Sequence, residues 1–345
     1  MPAKSTKRAG PASLVNLRGA NKEAHGLYMA DLVSRQRAPT ILNPHEVAGE
    51  YDAGRMLTTT LGGSGPRLIT HEDIRTFRQN VKTAGKRFKG GITARAVIDM
   101  SLEIDRERSN RQIRVAVPVQ TLGGRIHFIT NAGPDSGVTR HHVHIELLNY
   151  SAAVASPSKL ADASKLLATG PLKFDCDCER HRYYFRYVAT IGQYNSGRPE
   201  TGFPKITNPR LLGVACKHVL RVMQQLSQPA VRIKLEQMIR AGRDQLGHKV
   251  IKTSAQEARD IHESQHKASG WKRNKVESSA EKADRLAMQR SAKKVTERSA
   301  SRTNGGSSTR AKTVSRHLEG RIRKLADTGL LSGSQLAAVL SALKG

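Results

Sequence analysis

The chain has 345 residues, and its 58 lysines and arginines outnumber 29 acids to give a formal net charge of +29. That excess points to a polyanionic partner, most simply nucleic acid met nonspecifically through its phosphates. Aromatic residues make up only 4%, so the core is small for the length, and no apolar run approaches the ~18 residues of a membrane-spanning helix, which excludes a membrane partner of that kind.

Residues 1–65 are polar, basic and Gly-rich, with one short apolar stretch around 27–33, and read as an extended basic N-terminal arm with room for one short helix. The start, Met-Pro-Ala-Lys-Ser-Thr-Lys-Arg, is charged without an apolar segment behind it, which predicts no secretory signal. With cysteines that read as reduced thiols, the expected location is a cytoplasm or a virion assembled there. Thr58–Pro66 reads as a linker by composition.

An α+β domain is predicted over 66–170. Thr70-His-Glu-Asp73 is a capping-box start, followed by Ile74, Phe77, Val81 and Phe88 at helical spacing. A second helix is expected over Thr93–Glu103. Three strand candidates follow, Ile113–Val119, Ile126–Thr130 and His141–Leu148, with Gly123-Gly124 as the first turn and Asn131–Gly137 as the second. The reading is a small antiparallel meander with helices. Along the third strand His142, His144 and Glu146 share one face, and His141, Val143, Ile145 and Leu147 the other. A solvated strand face is the ordinary reading of such alternation, and a hydrolytic metal site is the third functional class kept open. Ser164–Ala168 is a candidate linking helix.

All three cysteines then fall in one 43-residue window, as Cys176-Asp-Cys178 and Cys216-Lys-His218. Residues i and i+2 of an extended segment point the same way, so Cys176 and Cys178 can grip one ion from a single strand, and Cys216 and His218 supply the other half. Four such ligands make a closed tetrahedral zinc site. Buried or redox-active cysteines are the competing reading, and the polar run Lys-Phe-Asp-Cys-Asp-Cys-Glu-Arg-His-Arg weighs against a core strand. The odd count weighs against a disulfide framework.

The order C-x-C … C-x-H resembles the SWIM-type zinc finger over about residues 171–228. That resemblance implies a small ββα unit, with the CxC pair on a hairpin and the CxH pair opening a helix. Val219, Val222, Met223 and Leu226 give that helix its apolar stripe. The 37 residues between Cys178 and Cys216 exceed the family's usual spacing, so the hairpin is expected to carry an insertion. Within it, His181–Tyr187 alternates as a strand, with Arg182, Tyr184 and Arg186 on one face and Tyr183, Phe185 and Tyr187 on the other. A strand that buries its aromatic face in a thin zinc-unit core is the ordinary reading, and with Arg180 the residues of the first face are candidate nucleic-acid contacts. The Gly-, Pro- and Asn-rich stretch 193–209 reads as the loop that returns to Cys216.

Beyond Pro229, 25 lysines and arginines stand against 11 acids. Residues 229–312 read as a basic helical or disordered tail, opened by an amphipathic helix over Val231–Val250. Its cations Lys272, Arg273, Lys275, Lys293 and Lys294 are further nucleic-acid candidates. Residues 313–345 read as a helical pair whose Leu336, Val339, Leu340 and Leu343 form a face that docks on another subunit or virion protein.

A second resemblance bears on function. Gly91-Ile-Thr-Ala-Arg-Ala-Val-Ile-Asp99, Ser109-Asn-Arg-Gln-Ile-Arg114 and Thr130-Asn-Ala-Gly133 look like uncharacterised products of tailed-phage structural genes. The expectation is a non-enzymatic, zinc-binding, phage-type protein, virion-associated or acting in assembly, with nonspecific nucleic-acid contact. A soluble nucleic-acid-binding SWIM protein is the alternative. No GxGxxG, P-loop, GxSxG or HExxH pattern occurs to support an enzyme.

Overall fold

The computed structural model describes residues 17, 19–35, 58–63, 65–86, 90–134, 136–244, 250–271, 274–304, 319–324, 336, 337, 339 and 341, with the backbone alone at 34–35 and 298–304. The fold is α+β. The chain divides into two compact units, Met1–Ser279 and Ala280–Gly345.

In the first unit, helix α1 (Ala20–Arg35) precedes a short antiparallel pair, β1 (Thr58–Thr59) and β2 (Arg67–Leu68), and helix α2 (His71–Gly85). Strand β3 (Ile92–Thr93) leads into α3 (Ala94–Met100) and α4 (Glu103–Gln112). The meander is β4 (Ala116–Leu122), β5 (Arg125–Asn131) and β6 (Arg140–Leu147). Helices α5 (Tyr150–Ala155) and α6 (Leu160–Thr169) then lead to β7 (Pro171–Cys176). A wide π-type turn over His181–Phe185 runs into α7 (Arg186–Ile191). After an irregular stretch come α8 (Lys217–Gln225), α9 (Pro229–Arg243), β8 (Ile251–Lys252) and α10 (Ala255–Ala268).

Six strands form one antiparallel sheet in the order β3-β7-β6-β5-β4-β8. The predicted meander is present within a few residues of its expected limits. Gly123 and Gly124 make its first turn with φ of +51° and +85°, and a Cβ on Gly124 would sit 2.7 Å from the Tyr150 side chain. The sheet buries both faces. Ala116, Ile126, Phe128, Val143, Ile145, Leu172, Phe174 and Cys176 face the main core, which α3, α6, α8 and α9 close. Val115, Val117, Val119 and Ile129 face Ala20 of α1 and Ala258 and Ile261 of α10. Helix α8 is buried on nearly all sides, with His218 through Met223 and Gln225 inside.

The capping box is formed as expected: the Thr70 side chain accepts from the Asp73 N–H, and the Asp73 carboxylate accepts from the Thr70 N–H. Phe77 packs on Phe203 at 4.5 Å between ring centroids. Phe88 lies outside the described residues.

Four expectations are corrected. The helix allowed for in the N-terminal segment is not carried on a free arm, because α1 docks on β6 through Glu23 with Arg140 and on α7 through Asp31 with Arg186. The Thr58–Pro66 stretch is not a free linker, since Thr59 is buried and its hydroxyl donates to the Lys205 carbonyl at 2.7 Å. Residues 171–228 do not stand apart as a ββα unit: β7 is an interior strand between β3 and β6, and Cys176 belongs to the main core. Finally, 251–278 is not tail. Helix α10 packs on β4, the side chains of Gln265 and Asn274 bond backbone groups, and Val276 joins the main core. Few apolar residues were needed there because hydrogen bonds, rather than area, complete the seal. Helix α9 ends at Arg243, short of Val250, and Leu246 lies outside the described residues.

In the second unit, helix α11 (Ser279–Asn304) is exposed along most of its described side chains, with Met288 and Val295 among them.

Candidate metal centre

Strand β7 ends at Cys176, and two residues on, Cys178 points back to the same side. Cys216 is the N-cap of α8 and His218 lies in its first turn, as the resemblance implied for the CxH pair. The helix buries Val219, Leu220, Val222 and Met223 against the sheet, so the apolar stripe that packs α8 also sets both of its ligands over the end of β7. All four residues are buried, and their ligand atoms lie within 4.8 Å of one another.

This arrangement fits a metal ion. Bonds of ~2.3 Å to thiolate sulfurs put tetrahedral ligands ~3.8 Å apart, a modest contraction from the observed spread. Both ring nitrogens of His218 are buried without an oxygen or nitrogen partner and have only the Cys178 sulfur beside the ring, a cost that coordination relieves. The three sulfurs crowd one another: burial, with Cys178 and Cys216 alongside, pushes the Cys176 thiol up. Burial opposes ionisation at Cys216 as well, but hydrogen bonds from the other two thiols and from the N–H groups of Val219 and His218 draw it well down. A helix N-terminus holding one thiolate among three sulfurs is a site that a divalent cation completes.

Around the ligands, His141 packs its ring on His218 at 4.3 Å. Its Nδ1 lies 2.8 Å from the Asp177 carboxylate and its Nε2 3.4 Å from the Ser136 hydroxyl.

The insertion between Cys178 and Cys216 departs from its sequence reading. His181–Tyr187 is helical, because the Cys178 carbonyl accepts from the N–H of both His181 and Arg182 and starts a turn at once. The buried pair His181 and Phe185, four apart, replaces the expected alternation. The four candidates there are consequently turned inward. Arg180 chelates Asp105 through Nε at 2.6 Å and a terminal nitrogen at 2.7 Å, and lies 4.3 Å over the Tyr184 ring. Arg182 reaches the Leu27 carbonyl and Asp31. Arg186, 4% exposed, bridges Asp31 and Asp175. These groups hold the fold together and have few donors left for phosphate.

The His142/His144/Glu146 face does not converge either. His142 is buried and bonds His127 at 2.8 Å, and Glu146 faces Arg125 at 3.6 Å across the ladder. Burial beside His144 and His142 takes His127 down to about 2, so that its ring is neutral at ordinary pH. Among the described residues, the Cys176, Cys178, Cys216 and His218 group is the one whose metal-ligating atoms gather. Of the remaining sequence candidates, Lys275, Lys293 and Lys294 are exposed, with Lys293 3.8 Å from Glu297. Leu336 is half-buried and Val339 exposed, while Lys272, Arg273, Leu340 and Leu343 lie outside the described residues.

Sequence reasoning named neither Arg108 nor Lys217 as a ligand-binding residue, and both line a cleft beside the metal-ligand candidates. Lys217 had a signal, since it is the middle residue of the CxH pair.

No helix among the described residues is long and apolar enough to cross a membrane. Comparison of the chain with protein-family models, curated proteins and solved structures returned no match.

Proposed function

We propose that this chain is a non-enzymatic, zinc-stabilised protein that associates with nucleic acid through phosphate contacts of its basic surface. The observation that carries the zinc half is the closed Cys3His set: four buried protein donors leave no position for a substrate, which is the arrangement of a structural rather than a catalytic ion. Cys176, Cys178, Cys216 and His218 would hold the ion, and the thiolate-rich set selects zinc over hard cations such as magnesium. The C-x-C … C-x-H order supports a SWIM-type site, here built into a larger sheet. The nucleic-acid half is supported by the net charge of +29 and by cations exposed along α11.

Metal analysis of the purified protein tests the first half, with about one zinc per chain expected. Absence of metal together with three freely reactive thiols overturns it. Titration of DNA and RNA oligonucleotides at several salt concentrations tests the second: affinity should fall steeply with salt and vary little with base sequence.

A further inference from the structure

Beside the metal ligands lies a cleft of about 590 Å³, within the ~300–1,000 Å³ usual for small-ligand sites. Cys178 and His218 form part of its lining. Helix α4 supplies Arg108 and Gln112, the loop between β5 and β6 supplies Gly133 and Ser136, and the first residue of α8 supplies Lys217.

The charges of this lining are unequally engaged. Arg180 and Arg182 are held by acids, as described above. Asp177 pairs with His141 through Oδ1 while its buried Oδ2 has no hydrogen-bond partner, and Glu179 is exposed. Two cations remain. Arg108 is half-buried with no acid partner among the described residues. Among the described residues, the Lys217 ammonium donates to the neutral amide oxygen of Gln112, at 2.6 Å, and meets no acid. It lies so close over Gly133 that a Cβ there would collide with Nζ. A cleft walled by two cations that have no acid partner among the described residues, with a hydroxyl at Ser136, has the chemistry of an anion site.

We propose that this cleft binds a phosphate group of a nucleotide or nucleic-acid strand, gripped by Arg108 and Lys217. This deepens the nucleic-acid reading above and rests on it for the source of the phosphate. Lys217 stands between Cys216 and His218, so an ion held by those two residues would also fix the backbone that carries this lysine.

The test compares the full-length, zinc-loaded protein with the double variant Arg108→Gln/Lys217→Gln. A control pair, Lys293→Gln/Lys294→Gln, removes equal charge from α11. Zinc content is measured in each, since an unaltered value shows that the centre survives. With a fluorescein-labelled 12-nucleotide oligothymidylate, the cleft variant should bind about tenfold more weakly. Its slope of log K against log salt should fall by about 1.4, two single-strand phosphate contacts, and the control pair should lose less. Calorimetry with 5′-AMP and with inorganic phosphate distinguishes the sources. Binding of either by the parent and not by the cleft variant assigns the site to a free phosphate or mononucleotide. Cleft-dependent binding of the oligonucleotide alone assigns it to a phosphodiester chain. Equal losses in the two pairs, or none in the cleft variant, overturn the proposal and leave general nucleic-acid association standing. A parent that binds no oligonucleotide overturns that wider reading instead, and the cleft is then judged by the AMP and phosphate titrations alone.

Discussion

Gln265 closes both backbone groups of Ala116: its Oε1 accepts from the Ala116 N–H at 2.7 Å, and its Nε2 donates to the Ala116 carbonyl at 3.0 Å. One side-chain amide thus imitates a neighbouring strand where β8, which pairs only with Gln120 and Thr121, does not reach. Gln265→Leu leaves a buried donor and acceptor unpaired, at about 1–3 kcal/mol each. Chemical denaturation should show a loss of about 2–4 kcal/mol, while Gln256→Leu, at an exposed position of α10, should change stability little.

Arg221 performs a related task without any carboxylate. It is 1% exposed and donates to the carbonyls of Ile113, Asn274 and Ser109 at 2.7, 2.8 and 3.0 Å. Burial lowers its guanidinium to about 10, which leaves it charged at neutral pH. Arg221→Met should cost about 3–5 kcal/mol, because three buried acceptors lose their donor. Amide hydrogen exchange should speed first around 274–278, the segment that this side chain ties to α4.

Loss of the metal should unfold more than its immediate surroundings. Structural zinc contributes roughly 10–16 kcal/mol in small finger peptides, comparable to the ~5–15 kcal/mol that holds a whole domain. Cys176, Cys178 and Cys216 sit in the same core cluster as Ile126, Val143 and Leu235. Chelation or Cys178→Ser should therefore abolish the cooperative transition of 92–239 as a whole. Retention of a folded 66–170 region after metal removal, read by limited proteolysis, would show the sheet to be independent of its centre.

The Thr70 capping box sets an acid limit on α2. The hydrogen bond from Arg67, with those from Thr70, holds Asp73 down to about 2. A carboxyl depressed in the folded state stabilises above its unfolded value near 4, and that contribution is lost as pH falls toward 2. Arg67 is half exposed, so solvent screens the pair and the cap itself carries most of the ~1 kcal/mol expected. Asp73→Asn should lower the thermal midpoint at pH 6, and the gap to the parent should narrow as pH falls from 4 toward 2 and close only below it.

Truncation after Ser279 follows the boundary between the two compact units and removes 14 lysines and arginines against 5 acids. The shortened chain should keep its zinc and its thermal transition. Its slope of log K against log salt for duplex DNA should be shallower by several units if even half of those cations meet phosphates, at ~0.9 per contact. An unchanged slope would place the polyanion contact wholly on the first unit.

Local patterns carried much of this in the sequence itself. The Thr70–Asp73 cap, the Gly123-Gly124 turn, the three strands of the meander and the stripe of α8 all depend on near neighbours, and all are present. So is the pairing of Cys176 and Cys178 with Cys216 and His218, because i, i+2 spacing at a strand end and at a helix start leaves each pair little choice of direction. What tertiary structure decided was the fate of the charged and polar groups. Helix α4 has no apolar stripe to betray it, since its buried residues are Asp105 and Ser109, matched to Arg180 and Arg221 from 75 and 112 residues away. The arginines of 180–186 read as a nucleic-acid face until Asp31, Asp105 and Asp175 are brought beside them, and the polar run after Thr253 reads as tail until Gln265 finds Ala116. Apolar burial follows a period that short windows reveal. A buried polar group is stable only with a partner of fitting geometry, and that partner can lie anywhere along the chain.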